Sequence, residues 1–203
     1  RILILVSARP ALLLPTVRSR CRRLRFEPIT VEPMADLLER QRGLSPEQAR
    51  VLAAMSGGSM GKALSMEAAK FMELREKIVG TLAHPGLAGV REILELSVDV
   101  SSDRNRALEA IEIASTWIRD VLIEKAGCDH SMIVHGDFLD RISETAQHHT
   151  SKKLLAVYHE LARASEMVEA ATNINRNLIT DVTLLKISRM LGEHPDASHR
   201  ALG

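Results

Sequence analysis

At 203 residues, 45% of them hydrophobic and 26% charged, the chain is long enough to bury a sizeable core and to hold one to three small domains. A formal net charge of +1 excludes a global field for nucleic acid, so any basic surface has to be local. Aromatic residues are only 2%, which leaves the core to Leu, Ile, Val, Ala and Met, a palette typical of helical bundles.

No apolar run reaches the length of a membrane span, and no stretch has the order of a signal peptide. Cys21 and Cys128 lie far apart without Cys-x-x-Cys spacing, which fits a reduced, cytoplasmic setting better than a disulfide framework.

The first element, residues 1–7, holds an unbroken apolar run at 2–6 and reads as a short, fully buried parallel strand ending at Ser7, Arg9 and Pro10. Residues 11–14 read as one turn of helix before Pro15. One strand makes no sheet, and a chain that opens on Arg1 rather than Met reads as the C-terminal part of something longer, with an α/β domain ahead of it. Five of the eight residues 18–25 are arginines, and residues 21–26 alternate enough for a short extended segment.

Glu27-Pro28 and Glu32-Pro33 then mark a joint, after which strand patterns disappear. A first small helix is expected over 34–42, stopped by Gly43. Ser45-Pro46-Glu47-Gln48 carries a capping-box signature with proline at the first helical position, opening a helix that stops at Gly57-Gly58. Ser59 can cap a third helix from Met60.

Longer helices follow over 71–83, 87–96, 103–125, 138–149, 152–173 and 178–190. The third of these is the clearest, with Leu108, Ile111, Ser115, Ile118 and Leu122 repeating along one face. Asn173, Asn175 and Asn177 suit cap positions at the last break, and the tail after Gly192 is expected to fray.

Three groups of residues invite a chemical reading. The arginines at 18–25 form either a solvated edge that resists aggregation or a surface for phosphate, for which the permanent charge and planar fork of arginine are suited. Aromatic residues for base stacking are not interleaved with them.

The stretch Gly57-Gly58-Ser59-Met60-Gly61-Lys62-Ala63 is not a phosphate-binding loop. Ser56 stands where the first glycine is required, and Ala63 has no hydroxyl for magnesium. Cys128, Asp129, His130, His135, Asp137, His148 and His149 can be drawn as a metal site, but no pair has the i, i+4 spacing of helical ligands, so no metal is expected.

Leu13-Leu14-Pro15-Thr16-Val17-Arg18-Ser19-Arg20-Cys21 resembles the Ser-Arg-Cys motif of clamp-loader subunits in the AAA+ superfamily, and its wording is most similar to the delta-prime type of bacterial DNA polymerase III. The resemblance implies that Arg20 is a finger offered in trans to ATP on the next subunit, supported by Arg18, Ser19 and a small, buried Cys21. It further implies that the second-sensor position falls on Gly61 and the first on Ala8, neither of which carries a polar group for nucleotide. A subunit that donates a finger without hydrolysing ATP follows, although Lys62 is a candidate stand-in for the missing sensor arginine.

The implied architecture is mainly all-α: a remnant of the nucleotide-binding-like domain with its short strand (1–27), a three-helix lid (28–70), an α-helical collar (71–192) and a tail (193–203). The implied partners are the other subunits of a five-membered ring, the sliding clamp and, through the assembly, primed DNA. ATP and magnesium belong to the neighbouring subunit, and the family's zinc module to a more N-terminal portion. An ATP-hydrolysing subunit of the tau/gamma type remains open, as does a helical scaffold that binds nucleic acid through Arg22, Arg23 and Arg25.

Overall fold

The structure is a computed structural model that describes residues 3–7, 10–83, 90–170 and 176–192. Among them there is no strand, and helices dominate. After a 3₁₀ turn at Pro10–Leu12 the helices are α1 (Pro15–Arg18), α2 (Val31–Arg42), α3 (Pro46–Met55), α4 (Met60–Ser65) and α5 (Ala68–Ala83). These are followed by α6 (Val90–Ser101), α7 (Arg104–Lys125), α8 (Leu139–His148), α9 (Ser151–Ala170) and α10 (Arg176–Gly192).

The expected N-terminal strand is the main departure. Residues 3–7 are irregular and exposed, with Leu3 at 81% and Val6 at 95% of full accessibility. A strand exists only when a neighbour satisfies its N–H and C=O groups, and no second strand is present among the described residues. The extended segment expected at 21–26 likewise pairs with nothing and lies exposed. The helical turn anticipated over 11–14 forms one residue earlier, as the 3₁₀ turn at Pro10–Leu12, and a further turn begins at Pro15, because proline's fixed φ and missing N–H suit the first helical position.

The three short helices α2–α4 form where local chemistry marks them. α2 starts at Val31, earlier than expected, since Pro33 falls in the first turn where its missing N–H costs nothing. It ends on Gly43 in the left-handed region, φ 64°. At α3 both halves of the capping box are made: the Gln48 N–H donates to Ser45 Oγ at 3.3 Å, and the Ser45 N–H donates to Gln48 Oε1 at 3.4 Å. Arg42 reaches from the end of α2 to the carbonyls of Ala63 and Met66, at 3.0 and 2.8 Å, and so satisfies the C-terminal end of α4.

Of the six longer helices, α7 is the central one. It touches α5, α6, α8 and α9, while α10 closes against α6 and α9. The one-faced pattern expected for α7 is therefore incomplete: Ala107, Ala110, Ile113, Ala114, Trp117 and Val121 are buried as well as Ile111 and Ile118, while Leu108, Ser115 and Leu122 are only half-buried. Three alanines let neighbouring helices approach an element that is enclosed on more than one side.

The core runs from Met34 in α2 to Leu191 in α10, with Trp117 as its largest fully buried side chain. Asn173 and Asn175, the residues between α5 and α6, and the tail after Gly192 lie outside the described residues.

Candidate functional site

The arginine-bearing segment is built on one turn of helix. The Ser19 N–H donates to the Pro15 carbonyl at 2.9 Å and the Arg20 N–H to that of Val17 at 3.1 Å. The Ser19 hydroxyl donates to the Thr16 carbonyl at 3.2 Å, the local backbone bond expected of it. This turn holds Arg18, Ser19, Arg20 and Cys21 together at the surface. The Arg20 side chain forms no ion pair or hydrogen bond among the described residues, so its five N–H donors are available.

Cys21 is exposed, not buried behind the arginine, because nothing among the described residues covers residues 21–27. Arg22 and Arg23 are exposed, and Arg25 makes only a 3.9 Å solvent-facing contact with Glu27.

Of the two degenerate positions, Ala8 lies outside the described residues. Gly61 sits exposed in α4, and a β-carbon there would meet nothing within 4 Å, so space does not demand its glycine. The adjoining Lys62 is engaged. Its ammonium lies 2.6 and 2.7 Å from the two carboxylate oxygens of Glu112, which ties α4 to α7.

The residues between Arg20 and α2 are held at their far end. The Ile29 N–H donates to the Gly58 carbonyl at 3.1 Å, so the joint marked by Glu27-Pro28 rests on the turn between α3 and α4. The sequence alone assigns Gly57-Gly58 only to helix termination. A glycine pair where one would end a helix is the signal for a second role.

A polar cluster in the six-helix part is also absent from the sequence-based expectations. Arg75 of α5 is 1% exposed, and its Nε–H donates to His135 Nδ1 at 2.8 Å. Its two terminal nitrogens bind the Asp137 carboxylate in a fork, one at 2.8 Å, and its guanidinium lies 4.5 Å from the centre of the Phe138 ring. Asp120 of α7 accepts from the backbone N–H groups of Val134 and His135, at 2.9 and 2.8 Å, and Arg119 donates to it at 3.0 Å.

Burial, and next the neighbouring Arg75 charge, push the His135 imidazole down to about 3, so it stays neutral. Burial pushes the Asp120 carboxyl up, against the pull of its hydrogen bonds and of Arg119. The available signal was Arg75 itself, a charge on the stripe that carries Phe71, Ile78 and Leu82.

The histidines and acids weighed as metal ligands are distributed among such local tasks. Asp129 Oδ1 accepts from the Ser131 N–H at 2.8 Å, His130 lies 2.8 Å from Glu124, and His148 Nδ1 meets the Glu144 carbonyl at 2.7 Å. No group of three or more such residues gathers among the described residues in a way that could hold a metal.

Two comparisons bear on the whole chain. Residues 69–189 match the family model for DNA polymerase III, delta subunit, C terminal. The chain is also 25% identical over 187 residues to DNA polymerase III subunit delta' of Escherichia coli (strain K12), which covers 92% of this chain and 54% of that relative. The chain thus spans about half the length of the curated relative it matches. With its helical body, and with a match that extends well beyond the family model's residues, the chain belongs to the family of C-terminal regions of DNA polymerase III delta subunits and is delta-prime-like.

Proposed function

We propose that the chain is part of a clamp-loader subunit that donates Arg20 to a neighbouring subunit's ATP and does not itself hydrolyse nucleotide. One observation carries this reading: in a delta-prime-like chain, the arginine of the Ser19-Arg20-Cys21 motif stands exposed on an ordered turn, with no internal anion to neutralise it among the described residues. Its planar fork would stabilise the charge that develops on the transferred phosphoryl group.

Two features support the absence of hydrolysis. Gly61 has no side chain to offer a phosphate, and Lys62, the candidate stand-in, has its ammonium on Glu112. The same engagement disfavours an ATP-hydrolysing subunit of the tau/gamma type.

In this reading residues 28–70 serve as the lid and 71–192 as the collar of a ring of subunits, in the cytoplasm. The ring opens the sliding clamp and places it on primed DNA as part of the polymerase holoenzyme. ATP and magnesium bind the neighbour, and this chain supplies no catalysis of its own.

The test is Arg20→Ala in the full-length subunit, assembled with its partners. Arginine fingers contribute roughly 10³–10⁵ in rate in GTPases, so clamp-stimulated ATP turnover at the adjoining site is expected to collapse while the ring still assembles. Arg20→Lys, which keeps the charge but loses the fork, is expected to restore only a small part. Undiminished turnover in Arg20→Ala rejects the finger.

A further inference from the structure

We infer that Gly58 is a positioning residue: its bare α-carbon lets the Pro28-Ile29 linker seat on the α3–α4 turn, which sets the direction in which the Arg20 segment leaves the helical body. The inference rests on the finger reading above and extends it to a residue far from Arg20 in sequence.

Gly58 differs from the other glycines with left-handed backbone. Gly43, Gly57 and Gly127 have φ of 64°, 59° and 66°, and a β-carbon on any of them would meet nothing within 4 Å. They serve turns. Gly58 has φ 80°, and a β-carbon there would lie 2.4 Å from Pro28 Cβ, 2.9 Å from Pro28 Cα and 3.0 Å from the Ile29 nitrogen. Two of those three atoms are backbone, so any side chain at 58 displaces the linker itself and not merely a flexible tip.

The contact is also directional. Ile29 donates its N–H to the Gly58 carbonyl at 3.1 Å, Pro28 has a ring-fixed φ, and Thr30 is the N-cap of α2. Three successive residues are thereby held, and the chain enters α2 along one line.

Upstream of this joint, residues 21–27 are exposed and contain neither helix nor strand. Arg20 precedes Pro28 by a stretch that, extended, reaches on the order of 25 Å. A catalytic group displaced by about 1 Å can lose on the order of 100-fold in rate. The joint fixes the end from which this stretch starts, and with it the region of space that the guanidinium can reach.

The experiment uses the full-length subunit in the assembled, clamp-stimulated complex, with hydrogen exchange at the Ile29 amide as an independent report on the joint. Gly58→Ala is expected to speed Ile29 exchange and to lower kcat by about 10- to 100-fold, with KM for ATP unchanged because the neighbour's own pocket is untouched. Pro28→Gly, which frees the linker without altering the α3–α4 turn, is expected to act in the same direction and decides the matter should Gly58→Ala fail to assemble.

Unchanged Ile29 exchange in both variants overturns the joint. Faster exchange with full turnover, where Arg20→Ala abolishes turnover, overturns the positioning role and leaves the finger standing. Full turnover in Arg20→Ala removes the finger, and this inference with it.

Discussion

At the scale of single residues, the arginines divide by environment. Arg20 is exposed and unpaired among the described residues, whereas Arg75 is buried, forked onto Asp137 and hydrogen-bonded to His135. Removing Arg75 would strand a partly buried carboxylate, the arrangement in which loss of one partner is most costly. Arg75→Ala is expected to lower unfolding stability by about 3–5 kcal/mol, measured by urea denaturation. Arg75→Met together with Asp137→Leu, which removes both charges, is expected to recover much of that loss.

His135 gives this cluster a pH signature. Its folded-state pKa, about 3, lies below the usual value of 6.5, so the unfolded chain takes up a proton that the folded chain refuses. Stability is therefore expected to fall as pH drops below about 6.5, with a limiting slope near 1.4 kcal/mol per pH unit that ends only around pH 3. Asp120 works in the opposite sense, because its raised carboxyl holds a proton more tightly when folded, which opposes the loss at the acid end. The histidine's effect sets in as pH falls through about 6.5. His135→Gln, which keeps an acceptor for Arg75, is expected to flatten this part of the curve in denaturant titrations at several pH values.

At the scale of elements, short helices depend on their ends and long ones on their burial. α3 has ten residues, and its start is held by reciprocal bonds between Ser45 and Gln48. Ser45→Ala is expected to cost about 1 kcal/mol, read from the denaturation midpoint with an unchanged denaturant slope. This start was readable in the sequence because a capping box is chemistry between residues three apart.

The face of α7 was less readable, for the converse reason. A 3.6-residue stripe reports a helix with one dry side, and α7 is covered by α5, α6, α8 and α9. Arg75 shows the same limit within α5. Phe71, Ile78 and Leu82 share the buried face of that helix, and nothing in their spacing shows that a guanidinium on it finds Asp137 and His135 more than fifty residues away in the chain.

At the scale of the whole molecule, the wording around Arg20 carried the family and the helical periodicity carried the class, because both are written in consecutive residues. A chain that reads as helices punctuated by Gly43, Gly57-Gly58 and Gly127 folds as those helices. Of the strand expected at residues 1–7, the described part, 3–7, is not a strand, since β structure is a property of pairs and the sequence of one strand says nothing of its partner.

Tertiary structure alone decided three matters: that Lys62 is bound to Glu112, that Gly58 receives Pro28, and that Arg75 is buried on Asp137 and His135. Each joins positions at least thirty residues apart. Such contacts depend on how whole helices stack, and local propensity contains no term for them.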